Sequence, residues 1–140
     1  MTTEENKKIV SRMFNEVMNQ RKFSLIREFI ADNYVNHGLP GATGPEGMVR
    51  VIEGFFHGFP DMHIQVDQVI GDGDMVATRG EWTGTHSGEF MGIPATGKKV
   101  RVGYIDLWKM QNGKGVENWV QMDLVSMMQQ LGVMPEPSHA

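Results

Sequence analysis

The sequence predicts one α+β domain, with helices first and an antiparallel sheet after them. Three observations carry that expectation. A chain of 140 residues suits a single core spanning 1–140 rather than two. Apolar residues recur at helical spacing as far as Phe59, and the period drops to two after Asp61. The strand-like runs then follow one another with turn residues between them, which favours a meander over strands alternating with helices.

Ile9, Val10, Met13, Phe14, Val17 and Met18 form one stripe of a first helix, and Thr2 with Glu5 offers it a capping box. Phe23, Ile26, Phe29 and Ile30 mark a second, shorter helix. It runs out in the polar stretch at 32–38, and a glycine- and proline-bearing loop follows at 39–44. Pro45 suits the first turn of a third helix carrying Met48, Ile52, Phe55, Phe56 and Phe59, which Pro60 stops. Strands are expected over 63–70, 75–86, 98–111 and 116–123, with Asn112–Gly113 as a strong hairpin turn. Leu124, Val125, Met127, Met128 and Leu131 make a closing helix that Gly132 ends, and Asp123 stands where its N-cap belongs.

Composition narrows the chemistry. Thirteen Lys and Arg against seventeen Asp and Glu leave a net charge of −4, so no basic field is present to attract nucleic acid or anionic lipid. Zero cysteine removes disulfides, thiolate nucleophiles and cysteine-held zinc. The five histidines include no pair at metal spacing, and neither a membrane span nor a signal peptide is legible, so a cytoplasmic protein without metal or cofactor is expected. Twelve methionines read first as packing, and second as adaptable walls around a nonpolar ligand.

Asp106 is the sharpest single feature. It lies inside Tyr104–Ile105–Asp106–Leu107–Trp108, where an ionised carboxylate costs several kcal/mol in desolvation unless partnered. Its pKa should rise, as a general acid or base near neutrality needs; a buried carboxylate satisfied by Tyr or Trp donors is the bland reading. Asn36 and His37 follow Tyr34 at the exit of the second helix, a place for ligand contacts or simply a solvated turn. His86 ends a strand, at a pocket mouth or in solvent. The segment 117–123 divides by strand alternation. A two-residue turn at 112–113 sets Asp106 opposite Trp119, with Glu117 and Gln121 on its face. A bulge at Gly115 instead sets it opposite Val120, with Asn118 and Met122 on its face.

TyrValAsnHisGly at 34–38, GlyProGluGly at 44–47, PheProAsp at 59–61, the run from Gly84 to Gly97, Asp106, Glu117 with Trp119, and GlnLeuGly at 130–132 occur in an order that resembles the SnoaL-like polyketide cyclases, or ester cyclases. The resemblance implies a cone-shaped α+β fold of the nuclear transport factor 2-like kind, a cystatin-like barrel in which N-terminal helices close a curved antiparallel sheet around a pocket. It also implies a homodimer formed through the sheet, and a cofactor-free intramolecular aldol condensation with an aspartate on the final strand as acid/base. Counting back from GlnLeuGly, that aspartate's position is Val120. A pocket histidine of the family falls at Asp106, a pocket asparagine at Asn36, and a histidine near the mouth at His86.

The expectation is therefore a cyclase, isomerase or lyase acting on a small hydrophobic carbonyl compound. Asp106 would move the proton, Asn36 and His86 would bond the enolate oxygen, and His37, Tyr104, Trp108, Asn118, Trp119, Val120 and Met122 would seat the substrate. The alternative is a non-catalytic binding or dimerisation module, which Val120 favours. An epoxide hydrolase would need an arginine between two aspartates, for which only Arg79 and Arg101 are at hand.

Overall fold

The Thr2 hydroxyl accepts from the Glu5 N–H while the Glu5 carboxylate accepts from the Thr2 N–H, so the expected capping box starts helix α1, Thr3–Arg12. The computed structural model describes residues 1–39 and 42–135; Pro40 and Gly41 of the expected loop, and His139, lie outside them. After Arg12 the helix widens into a π-helical stretch, Met13–Asn19, closed by a bond from the Gln20 N–H to the Asn15 carbonyl. Asn19 then ties this end to the sheet edge: its amide donates to the Ile64 carbonyl and its Oδ1 accepts the Ile64 N–H, both at 2.8 Å. A 3₁₀ turn, Phe23–Leu25, leads into the short α2, Ile26–Phe29.

The next segment corrects the sequence reading. Ile30–Asn36 is a strand, β1, where a helix end and polar loop were expected. It pairs parallel to β5 with an interruption between Ile30 and Val35. Helix α3, Gly44–Gly58, carries Pro45 in its first turn as anticipated. The meander follows as β2 (His63–Asp72), β3 (Met75–Thr85), β4 (Lys99–Gln111) and β5 (Lys114–Met122), and α4 (Leu124–Gln130) closes the chain with Asp123 capping it through the Ser126 N–H. Strand order is β1-β5-β4-β3-β2. The outcome is the α+β architecture expected, a five-stranded sheet with the helices against one face.

The β4–β5 hairpin joins the two registers that the sequence left open. Asn112 and Gly113 both take positive φ, 51° and 76°, as a two-residue turn of the right twist requires. Gln111 accordingly pairs with Lys114, yet Lys109 pairs with Glu117, so a bulge at Gly115–Val116 shifts everything beyond it and Asp106 stands opposite Val120. The bulge needs glycine: a Cβ on Gly115 would lie 2.9 Å from the Trp108 ring. Strict alternation in β4 then sends Val100, Val102, Tyr104, Asp106, Trp108 and Met110 inward.

Two apolar clusters share the space between sheet and helices. One gathers Phe14, Val17, Phe29, Tyr34 and Trp108; the other centres on Phe59, Trp82, Val102 and Met127. Half of the twelve methionines serve this packing, since Met13, Met18, Met48, Met62, Met110 and Met127 are all buried.

Candidate functional site

Asp106 is buried, with 4 % of its surface exposed, on the concave face of the sheet. Its neighbours follow from register. Thr78 is its cross-strand partner on β3, and the Thr78 hydroxyl donates to Oδ1 at 2.5 Å. Trp108, two residues along β4 on the same face, donates its indole N–H to Oδ2 at 2.9 Å. Burial pushes the carboxyl up to about 6, and the donors on Thr78, Trp108 and Asn118 hold it from rising further. Both Oδ atoms therefore accept hydrogen bonds, which suits the ionised form, while the low-polarity surroundings keep that form reactive toward a proton.

Around it lies an apolar cavity of about 80 Å³. Phe14 and Met18 from the π-helical stretch, Ile52 and Phe56 from α3, and Trp82, Tyr104 and Val120 from the sheet contribute to its wall. Its polar lining comes chiefly from Asp106, Asn36 and Asn118. The Asn36 amide donates to Asn118 Oδ1 at 3.2 Å, its own Oδ1 accepts the Gly38 and Leu39 N–H groups, and the Asn118 amide donates to the Leu107 carbonyl at 3.0 Å. These bonds fix both amides. The buried indole N–H of Trp82, on the cavity wall, is unpartnered among the described residues. A buried donor without an acceptor is costly, so a ligand oxygen would be welcome there.

The cavity is too small alone for a drug-sized ligand. Leu39, Val51, Phe55, Val120 and Met122 also border a second groove of about 600 Å³, which runs out past Glu89, Phe90 and Met91. Gly38 permits this shared wall: a Cβ there would meet the Val120 carbonyl oxygen at 2.5 Å, so only glycine lets the turn after β1 press on β5 opposite Asp106.

Of the residues singled out from the sequence, the structure gathers Asn36, Tyr104, Asp106, Trp108, Asn118, Val120 and Met122 on one cavity. It places three elsewhere. His86 was expected at the mouth but is fully buried behind the second cluster, stacked on Phe59 with 5.3 Å between ring centroids. Its Nδ1 accepts the Thr96 N–H at 3.2 Å and lies 3.0 Å from the Thr96 hydroxyl, so it pins the base of the β3–β4 loop. His37 and Trp119 stack on each other at 5.0 Å on the outer, convex side, where His37 Nε2 also lies 3.2 Å from a Glu117 carboxylate oxygen. The bulged register put Trp119 there, on the opposite face from Asn118. Arg79 and Arg101 are exposed, bonded to Gln68 and Glu81, so neither reaches the cavity. No cluster of three or more His, Cys, Asp or Glu suited to a metal ion occurs among the described residues.

Sequence reasoning missed two polar groups. Thr78 carries no signal beyond its place in the strand expected over 75–86, and its partnership with Asp106 needs the β3–β4 register, which a 13-residue connection hides. Tyr34 was noted only as a neighbour of Asn36. Its buried hydroxyl lies 3.4 Å from Asn118 Oδ1 and its ring stacks on Trp108, supporting the amide and the indole from behind.

Comparison with known proteins agrees with this geometry. The family model described as SnoaL-like polyketide cyclase matches residues 8–131. The chain belongs to the SnoaL-like polyketide cyclase family. It is 28 % identical over 129 residues to the aklanonic acid methyl ester cyclase DnrD of Streptomyces peucetius, covering 89 % of this chain and 88 % of that protein. Among solved structures it resembles IdmH of Streptomyces antibioticus, with 34 % identity, a TM-score of 0.80, and coverage of 91 % and 99 %. A SnoaL-like protein from Jannaschia sp. CCS1 matches at 25 % identity and a TM-score of 0.86, covering 96 % of each chain. This membership supports the nuclear transport factor 2-like fold and a cyclase-like role. No helix among the described residues is long and apolar enough to cross a membrane.

Proposed function

We propose that this SnoaL-like protein is a cofactor-independent acid/base enzyme that closes a ring, or shifts a proton, in a mostly apolar carbonyl compound, with Asp106 as the base. The observation that carries the reading is a lone carboxylate, held near a pKa of 6, on the wall of an otherwise apolar cavity. A base so placed takes a proton from the carbon alpha to a carbonyl, and water is largely excluded from the resulting carbanion. The Asn36 amide and the unpartnered Trp82 indole N–H, both on the cavity wall, supply donors for the enolate oxygen, while Tyr104, Trp108 and the Val120–Met122 edge set the substrate against the carboxylate. His86 takes no part in this scheme, because its ring is outside the cavity.

The relatives' names supply a test compound. Aklanonic acid methyl ester incubated with the protein should disappear in favour of a ring-closed isomer of the same mass, followed by liquid chromatography and mass spectrometry. Absence of both conversion and solvent deuterium uptake alpha to its carbonyls would overturn the reading. Val120, where the family's acid is expected, favours the second reading of a non-catalytic ligand-binding module. That reading predicts binding of the ester without turnover.

The proposal includes a homodimer. Ile105 is 59 % exposed at the centre of the convex face, with Leu107 and Trp119 paired across the strands beside it. Lys99, Arg101 and Lys109 flank this apolar centre on the same strand face. The solvated side of an antiparallel sheet is normally polar, so an apolar centre with a charged rim fits a second copy of the chain. Light scattering should report twice the chain mass, and Leu107→Lys with Trp119→Glu should halve it; a monomeric parent protein would refute the dimer.

A further inference from the structure

Thr78 is buried beneath the cavity wall, between two groups that do line it. Its Oγ1 lies 2.5 Å from Asp106 Oδ1 and 3.2 Å from the Tyr104 hydroxyl. A threonine hydroxyl has one hydrogen to give and lone pairs to receive with. The shorter contact, to a charge, takes that hydrogen, so the phenol of Tyr104 becomes a donor to Thr78. With Asp106 ionised, the chain of bonds therefore points one way: Tyr104 to Thr78 to Asp106. Protonating Asp106 at Oδ1 makes the carboxyl a donor and reverses the chain. Thr78 then gives its hydrogen to the Tyr104 oxygen, and the phenol hydrogen is left to face the cavity. Trp108 cannot take part in that reversal, because its indole N–H only donates and stays on Oδ2.

We propose that Thr78 is a positioning residue that couples Asp106 to Tyr104, so that proton uptake by the carboxylate presents the Tyr104 hydroxyl to the substrate as the proton donor. This rests on the base role of Asp106 proposed above, and adds the acid that such a base requires. For a ring closure the steps balance. The C–H bond alpha to one carbonyl breaks and its proton goes to Asp106. The electron pair forms the new C–C bond at a second carbonyl carbon, whose oxygen becomes an alkoxide. Tyr104 gives that oxygen its proton, Thr78 gives its own to Tyr104, and Asp106 returns the first proton to Thr78. Nothing is oxidised or reduced and all three groups are restored. Tyr104 suits the donor role because burial pushes its phenol up to about 12, so it enters each cycle protonated.

Coupling of this kind is visible without substrate. The chain has only two tyrosines, so ¹³Cζ-tyrosine labelling gives two signals, and Tyr104→Phe assigns them. Over pH 4–8 the Tyr104 signal should step with a midpoint near the Asp106 value of about 6. The step should vanish in Asp106→Asn, vanish in Thr78→Val and persist in Thr78→Ser. Tyr34 on β1 also feels the Asp106 charge, and Asp67 on β2 acts on Tyr104, so Asp67→Asn serves as a control that should leave the step in place. If valine prevents folding, Thr78→Ala replaces it. An unchanged step in the valine or alanine variant would mean a field effect through space, and would overturn the relay; so would a parent protein with no step. An observed relay in a protein that turns over no carbonyl compound would instead leave the network standing and remove the catalytic reading.

Discussion

Asp106→Asn is expected to remove turnover of a carbonyl substrate while leaving the fold intact. The loss in kcat should be on the order of 10²–10⁴-fold, the range that a positioned general base contributes. KM should change little, because the amide keeps the carboxylate's shape among the same apolar walls. The fold survives for a specific reason. An asparagine oxygen can accept the Trp108 indole N–H, while its amide nitrogen donates to Thr78, whose hydroxyl then turns to Tyr104. Trp108 and Thr78 both keep a partner at position 106, so the variant mimics the protonated carboxyl. Circular dichroism and a thermal melt establish that the fold is kept, and steady-state kinetics measure the loss. Unchanged kcat in a folded variant would remove Asp106 from the chemistry.

The same residue shows how far the site was legible beforehand. Asp106 was conspicuous because a charge stood in an apolar, alternating run, and that anomaly is local. Asn118, Val120 and Met122 became its neighbours only through the Gly115–Val116 bulge, which single-strand periodicity cannot locate. His86 misled for a related reason. A histidine at a strand end among glycines and a serine looks solvated or mouth-lining, yet the loop beyond it folds back so that Phe90 covers Phe59 and seals the ring. Strand β1 was invisible in Ala31–Asp32–Asn33: its polar residues break the alternation, and it is ordered by docking on β5 through the Asn36–Asn118 pair rather than by its own pattern. The capping box, the Asn112–Gly113 turn and the Asp123 cap were legible because each is settled within four residues. Thr78 was not, because its importance lies across a hairpin.

Stability should carry a second signature of the buried acid. Its carboxyl titrates near 6 when folded and near its ordinary 3.8 when unfolded. The folded state therefore binds this proton more tightly, and the stabilisation is fully present below 3.8 and lost as pH rises through 6. Two pKa units at about 1.4 kcal/mol each make the ionised carboxylate cost about 3 kcal/mol at pH 7. Glu5 and Asp61 work in the opposite sense, since hydrogen bonds from Thr2 and Thr85 lower their values and their stabilisation is lost on acidification. They are present in parent and variant alike, so the difference between the two proteins isolates Asp106. Urea unfolding of Asp106→Asn against the parent should accordingly show a gap that widens by about 2–3 kcal/mol in the variant's favour from pH 4 to pH 8, with its steepest change around pH 5. Parallel stability curves across that range would mean that the carboxyl is not held above its usual value. The proposed base would then lose the feature that fits it for catalysis near neutrality, whatever the activity assay shows.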